Sequence, residues 1–135
     1  MKARIQHRTE AIVLRLLDYG ESDRIVTFYT AGFGKLRGIA KGARRSRKRF
    51  ANALEPFSCS QILFSSRGLD SLALIEGSDV ICHFPAIRAD LEKTLSASYL
   101  IDLTDRFTME DKKNEALFSL LHAFLQMIET GPVTE

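Results

Sequence analysis

Two cysteines in 135 residues, Cys59 and Cys82, are too few and too far apart in sequence for a disulfide framework, and neither has a Cys-x-x-Cys partner. As metal ligands they would need His7, His83 or His122, and only His83 adjoins a cysteine. Both are therefore read as buried thiols, in keeping with a reducing compartment. Long apolar runs are missing too. The longest uncharged stretch, ALFSLLHAFLQMI at 116–128, falls short of the roughly 20 residues that a bilayer-crossing helix needs. AIVLRLL at 11–17 is broken by Arg15 and lacks the small-residue cleavage site of a secretory leader. The expectation is a soluble protein of the cytoplasm.

Catalytic signatures are equally scarce. There is no Gly-x-Ser-x-Gly elbow and no His-Glu-x-x-His. GFGK at 32–35 lacks the upstream glycine of a phosphate loop, carries Leu36 where Ser or Thr is required, and leads into a strand rather than a helix. The three histidines are scattered, and the acidic residues fall on helix surfaces and turns, where solvation is their ordinary role. No enzyme activity, cofactor or metal is expected.

The most informative absence is of negative charge. Between Asp23 and Glu55 there is no Asp or Glu, against nine Lys and Arg. Residues 1–54 hold 13 basic and 4 acidic residues, a balance of +9, whereas residues 55–135 hold 6 and 13, a balance of −7. The formal net charge of +2 conceals this split, which points to a polyanionic partner for the first half.

With 45% hydrophobic residues, the chain is long enough for one domain with a core, or a small domain plus an appendage. TEAIVLRLL (9–17) alternates as a strand, with Ile12, Leu14 and Leu16 on one face and Val13 and Arg15 on the other. A turn at 18–24, a strand IVTFYT (25–30), a reversal at 31–35 and a strand LRGIA (36–40) follow. FSCSQILFSS (57–66), a turn RGLD (67–70) and SLALIEGSDVICHF (71–84) complete five strand candidates. A small closed barrel is the economical arrangement, because closure removes exposed strand edges. From residue 83 the pattern becomes helical. Pro85 is placed to open a helix in which Ile87, Leu91, Leu95, Tyr99, Leu103 and Phe107 recur every four residues, widened by Leu100 and Ile101. A polar connector at 108–114 precedes a second helix at 115–130, stopped by Gly131-Pro132. The fold class is thus mainly β with C-terminal helices: a five-stranded barrel over residues 1–82, then residues 83–135 as the beginning of an α-helical domain.

The cations concentrate in KGARRSRKR (41–49), where six of nine side chains are positive. Lys35, Arg37 and Lys41 are expected on one face of a strand that leads into a flexible loop carrying Arg44, Arg45, Arg47, Lys48 and Arg49. Such a run can follow a phosphate backbone, with arginine forks engaging its oxygens largely blind to sequence. Tyr19, Phe28, Tyr29, Phe33 and Phe50 lie in or beside it. More than half of these five are expected in the core, with Phe28 or Tyr29 inward. Phe33 at a hairpin tip and Phe50 at the loop end are the candidates for stacking on bases.

At this point the sequence resembles the RecO family of bacterial recombinational repair mediators. The likeness rests on DYGESDRIV (18–26), GKLRGIAKGAR (34–44), LEPFS (54–58) and FPAIRADLEKTLSASYLIDLTDRF (84–107), and covers nearly the whole chain. It implies an OB-fold barrel near residues 1–82, in agreement with the strand count. It also implies binding of single- and double-stranded DNA, annealing of complementary strands, work with RecR, and help in loading RecA onto gaps coated by single-strand binding protein, in the nucleoid-associated cytoplasm. The family's basic DNA-binding region corresponds to Lys35, Arg37, Lys41, Arg44 and Arg45, with Arg47, Lys48 and Arg49 in a more variable loop. Proteins of the family continue for roughly another hundred residues. That completes a helical module which often holds a four-cysteine zinc site and contributes to engaging the acidic tail of single-strand binding protein. If this chain is a part of such a protein, the apolar stripe along 87–128 is expected to be partly exposed.

Composition alone would equally suit an RNA-binding or ribosome-associated OB module. A third class is a protein-interaction domain that works through its acidic helices.

Overall fold

The computed structural model describes residues 5–45, 50, 53–66 and 72–132. Five strands, β1 (Ile5–Tyr19), β2 (Asp23–Thr30), β3 (Gly34–Ala40), β4 (Cys59–Ser66) and β5 (Ala73–Cys82), form a closed barrel in the order β1-β2-β3-β5-β4. All pairings are antiparallel except the short parallel contact of β3 with β5. Closure depends on the length of β1. Its first half pairs with β4 and its second with β2, so that one strand of 15 residues serves both neighbours. This is the OB-fold arrangement that the sequence implied. The expected turn at 67–70 lies outside the described residues.

The barrel interior is filled by Ala11, Val13, Val26, Phe28, Ala40, Ile62, Phe64 and Ile75. Gly38 faces this interior from β3, and a Cβ there would press into the Ile75 side chain, so the third strand crosses the core only without a side chain at this point. A second core lies on the outer side, where Ile12, Leu14, Tyr29, Phe57 and Cys59 meet the helices. Two-sided burial explains why the neighbours Phe28 and Tyr29 are both fully enclosed, one in each core.

The register of β1 shifts between Val13 and Arg15. Leu14 is the extra residue, and beyond it the inward and outward parities exchange. This corrects the simple alternation expected for residues 12–16. Ile12 and Leu14 join the outer core, but Leu16 packs on the barrel interior with Val13, and Arg15 turns outward.

Three helices follow: α1 (Pro85–Ala89), α2 (Leu91–Phe107) and α3 (Glu115–Thr130). Pro85 does open the first, but the continuous helix expected from there to Phe107 is broken at Asp90. Asp90 has extended backbone angles and caps α2 by accepting from the Lys93 amide at 2.9 Å. The four-residue apolar recurrence is also not the buried face. Ile87, Ala97 and Ile101 are buried, whereas Leu91, Leu95, Tyr99, Leu103 and Phe107 are exposed. The outer side of the barrel admits α2 closely where the side chain is small, as at Ala97. α3 presents Phe118, Leu121 and Leu125 to the same core. Between α2 and α3 runs an apolar cleft of about 310 Å³ lined in part by Leu103, Phe107, Leu120 and Phe124.

Candidate nucleic-acid interface

The outer face of β1–β2–β3 can be read in rows from the pairing register. Ile12, Tyr29 and Lys35 form the row nearest the helices, and Arg15, Thr27 and Arg37 the next. Leu17, Ile25 and Ile39 follow, and Tyr19 stands opposite Asp23 at the end. The helices cover the first row; in the second, Thr27 is still buried, 2% exposed, between exposed Arg15 and Arg37, and beyond it Leu17 and Tyr19 are exposed. A cleft of about 240 Å³ lies along this open part, lined by Arg15, Leu16, Leu17, Ile25, Thr27 and Arg37.

The first cation expected on this surface is not available to a ligand. The Lys35 side chain is only 14% exposed. Its Nζ donates to the Asp105 carbonyl oxygen at 2.7 Å and lies 2.8 Å from Asp105 Oδ1, in an ionic contact off the axis of a good hydrogen bond. The Asp111 amide donates to the Lys35 carbonyl oxygen at 3.1 Å, so the connector between α2 and α3 docks on β3. Gly34 permits this docking. Its φ of +70° suits glycine, and a Cβ would overlap the Lys112 carbonyl. Lys35 is therefore a fastening between barrel and helices, in place of the solvent-facing role its strand parity predicts.

Arg37 is exposed and 3.9 Å from Glu110, and Arg15 is exposed and 3.7 Å from Asp105. Lys41, Arg44 and Arg45 are exposed at the start of the basic stretch. The Arg44 amide donates to the Ser22 carbonyl at 3.0 Å, and its guanidinium donates to the Gly20 carbonyl at 2.9 Å. Asp23 Oδ1 accepts from the Gly42 amide at 2.8 Å. The stretch is thereby tied to the β1–β2 turn, beside the open end of the face. Arg47, Lys48 and Arg49 lie outside the described residues.

Neither favoured aromatic stands ready for bases. Phe50 is buried, 4% exposed, and packs with the residues of the barrel interior. Phe33 is half-buried between His7 and Phe64, with ring centroids 4.9 Å and 5.2 Å away. Tyr19, grouped in sequence with the other aromatics but not favoured, is the exposed one at 53%. Sequence reasoning misses Arg15 because it assumes unbroken alternation through the bulge at Leu14. The available signal is an arginine placed by that alternation on the same face as Val13.

The motif LEPFS also acquires a function in the fold. Arg88 of α1 donates to the carbonyls of His83 at 2.8 Å and Pro56 at 2.9 Å and to Ser58 Oγ at 2.6 Å. It pairs with Glu55 at 3.1 Å and lies 4.7 Å above the Phe57 ring. Burial lowers its pKa and the Glu55 carboxylate opposes that shift. Among the described residues no three His, Cys, Asp or Glu side chains converge as a metal site, and no helix is long and apolar enough to cross a membrane.

Comparison with known proteins agrees with the fold. Residues 1–84 match the family described as Recombination protein O N terminal, and residues 88–135 the family described as Recombination protein O C terminal. The chain is 56% identical over 135 residues to the DNA repair protein RecO of Syntrophus aciditrophicus (strain SB), covering 100% of this chain and 52% of that protein. It is 46% identical over 125 residues to the protein of the same name in Geobacter metallireducens, covering 92% and 50% respectively. For that of Myxococcus xanthus the identity is 40% over 129 residues, covering 93% and 52%. The chain thus spans about half the length of these relatives.

Proposed function

The chain belongs to the recombination protein O family, and from that premise we propose that it is a non-catalytic DNA-binding protein of recombinational DNA repair. It binds single- and double-stranded DNA by neutralising phosphates and promotes annealing by screening two backbones until complementary bases meet. The observation that carries this reading is the basic stretch tied by Arg44 to the turn at the open end of the barrel face, in line with Arg15 and Arg37. The binding cations are Arg37, Lys41, Arg44 and Arg45, with Arg47, Lys48 and Arg49 continuing the stretch and Arg15 added. Lys35 leaves the set. In the same reading residues 1–82 act as the DNA-binding unit and residues 83–135 belong to a helical domain. The partners are RecR, single-strand binding protein and, indirectly, RecA.

The test is fluorescence anisotropy of a labelled unstructured DNA oligomer at several salt concentrations. With five or six phosphates contacted, log affinity is expected to fall with log salt at a slope of roughly −4. Replacing Arg44, Arg45, Arg47, Lys48 and Arg49 by Ala should abolish most of the binding. A shallow slope, or an unchanged variant, would reject the basic stretch as the binding surface. A preference for structured RNA would move the protein to the RNA-binding class.

A further inference from the structure

Resting on that DNA-binding reading, we propose that the open end of the β1–β2–β3 face is a base-binding platform for single-stranded DNA, with Tyr19 as its stacking side chain and Leu17 and Ile25 as its apolar floor. Beyond the bulge, Arg15, Leu17 and Tyr19 point outward together and span about 13 Å along β1. Leu17 is 58% exposed and Tyr19 53%, although the outward residues before them, Ile12 and Leu14, are sealed under the helices. Single exposed apolar side chains are ordinary on a protein surface. Here they form a continuous strip. Arg15 and Arg37 edge it on one side, and at the other end the β1–β2 turn holds Arg44 of the basic stretch, which donates to the Gly20 carbonyl and lies 3.7 Å from Asp18.

That combination fits one kind of ligand. The cleft beside Leu17 and Ile25 brings arginine and aliphatic carbon together, as a strand offering phosphate and unpaired bases requires. In a duplex the base faces are stacked on one another and only the phosphates would gain. An aromatic face accepts any base, so sequence preference would be weak. The other exposed aromatics, Tyr99, Phe107 and Phe124, lie on helices in the half of the chain whose balance is −7, where a polyanion is repelled.

The sequence contains no tryptophan, so Tyr19→Trp places a sole indole at the proposed contact. Its emission should be quenched on adding an oligo-dT strand, and should change far less with a blunt duplex of equal length. Tyr19→Ala should weaken single-strand binding by roughly 5- to 100-fold with the salt slope unchanged, because stacking releases no counterions. Tyr19→Phe should restore it. Tyr19 is solvent-exposed, and equal melting temperatures across the variants would confirm that the fold is kept. Single-strand binding that is salt-sensitive but indifferent to Tyr19→Ala, with no quenching, overturns the platform and leaves the DNA-binding reading standing. Equal losses for single and double strands also overturn it. No binding of any oligomer by the unaltered chain overturns both.

Discussion

Lys35 and Asp105 lie 70 residues apart in sequence, and their side chains are 14% and 13% exposed. A charge so placed is costly without its partner. Lys35→Met should destabilise the protein by about 3 kcal/mol, at the lower end for a broken buried pair because Arg15 remains 3.7 Å from the same carboxylate. Denaturant titration measures this. The same variant should barely alter the salt slope of DNA binding, whereas Arg37→Gln should lower it by about 0.7, the increment of one phosphate contact on a single strand. Cys59 gives a second prediction at this scale. Burial, reinforced by Glu10 and Cys82, pushes its thiol from 9.0 up to about 12, and Cys82 is its direct cross-strand neighbour. The protonated thiol is favoured in the folded state, so its contribution is complete below pH 9 and lost as pH rises towards 12. Cys59→Ala should flatten that part of the alkaline stability profile. Sequence reasoning read both as buried thiols, whereas Cys59 is buried and Cys82 only half-buried, and it missed their adjacency, which only strand register creates.

At the scale of elements, a reciprocal latch holds the helices. Lys93 of α2 is buried and donates to the carbonyls of Glu129 at 3.0 Å and Gly131 at 2.7 Å, at the C-terminal end of α3. The Glu129 carboxylate in turn accepts from the amides of Ala86 at 3.1 Å and Ile87 at 2.9 Å, at the start of α1. Each charge lies at the helix end whose dipole it complements. Lys93→Met keeps the aliphatic stem and removes both bonds, so a loss of about 2 kcal/mol is expected in thermal or chemical unfolding. The limits of α3 were legible, since its apolar period ends at Gly131-Pro132 and its bounds follow the expected 115–130. α2 was misread for a physical reason. A four-residue apolar recurrence identifies a helix but not the side that faces the barrel. Here that side is set by small Ala97, by Ile101 and by a lysine whose partners lie 36 and 38 residues away. Glu129, read in sequence as a solvated acid, was lost in the same way.

Across the whole molecule, the split of +9 against −7 was plain in the sequence, but its consequence was not. The fold brings acids of the second half against cations of the first, Asp105 to Lys35 and Arg15, and Glu110 to Arg37. The field over the barrel face is therefore weaker than a count of its lysines and arginines implies, and part of the basic run answers an internal need rather than a ligand. The two acids differ in kind. Asp105 is enclosed and structural, whereas Glu110 and Arg37 are 48% and 42% exposed and 3.9 Å apart, a pair of little value to stability. Glu110→Gln should accordingly leave unfolding within about 0.5 kcal/mol of the unaltered chain. If phosphates approach Arg37, the same substitution removes a like charge from their path. Affinity for a single strand should then rise roughly two- to fivefold at low salt, as expected of an exposed charge pair, and the gain should shrink as salt shortens the screening length. Anisotropy titrations at low and high salt decide the matter. A gain that fades with salt places the strand across the Arg15–Arg37 row, and an affinity unmoved at every salt concentration places it elsewhere, along the basic stretch alone.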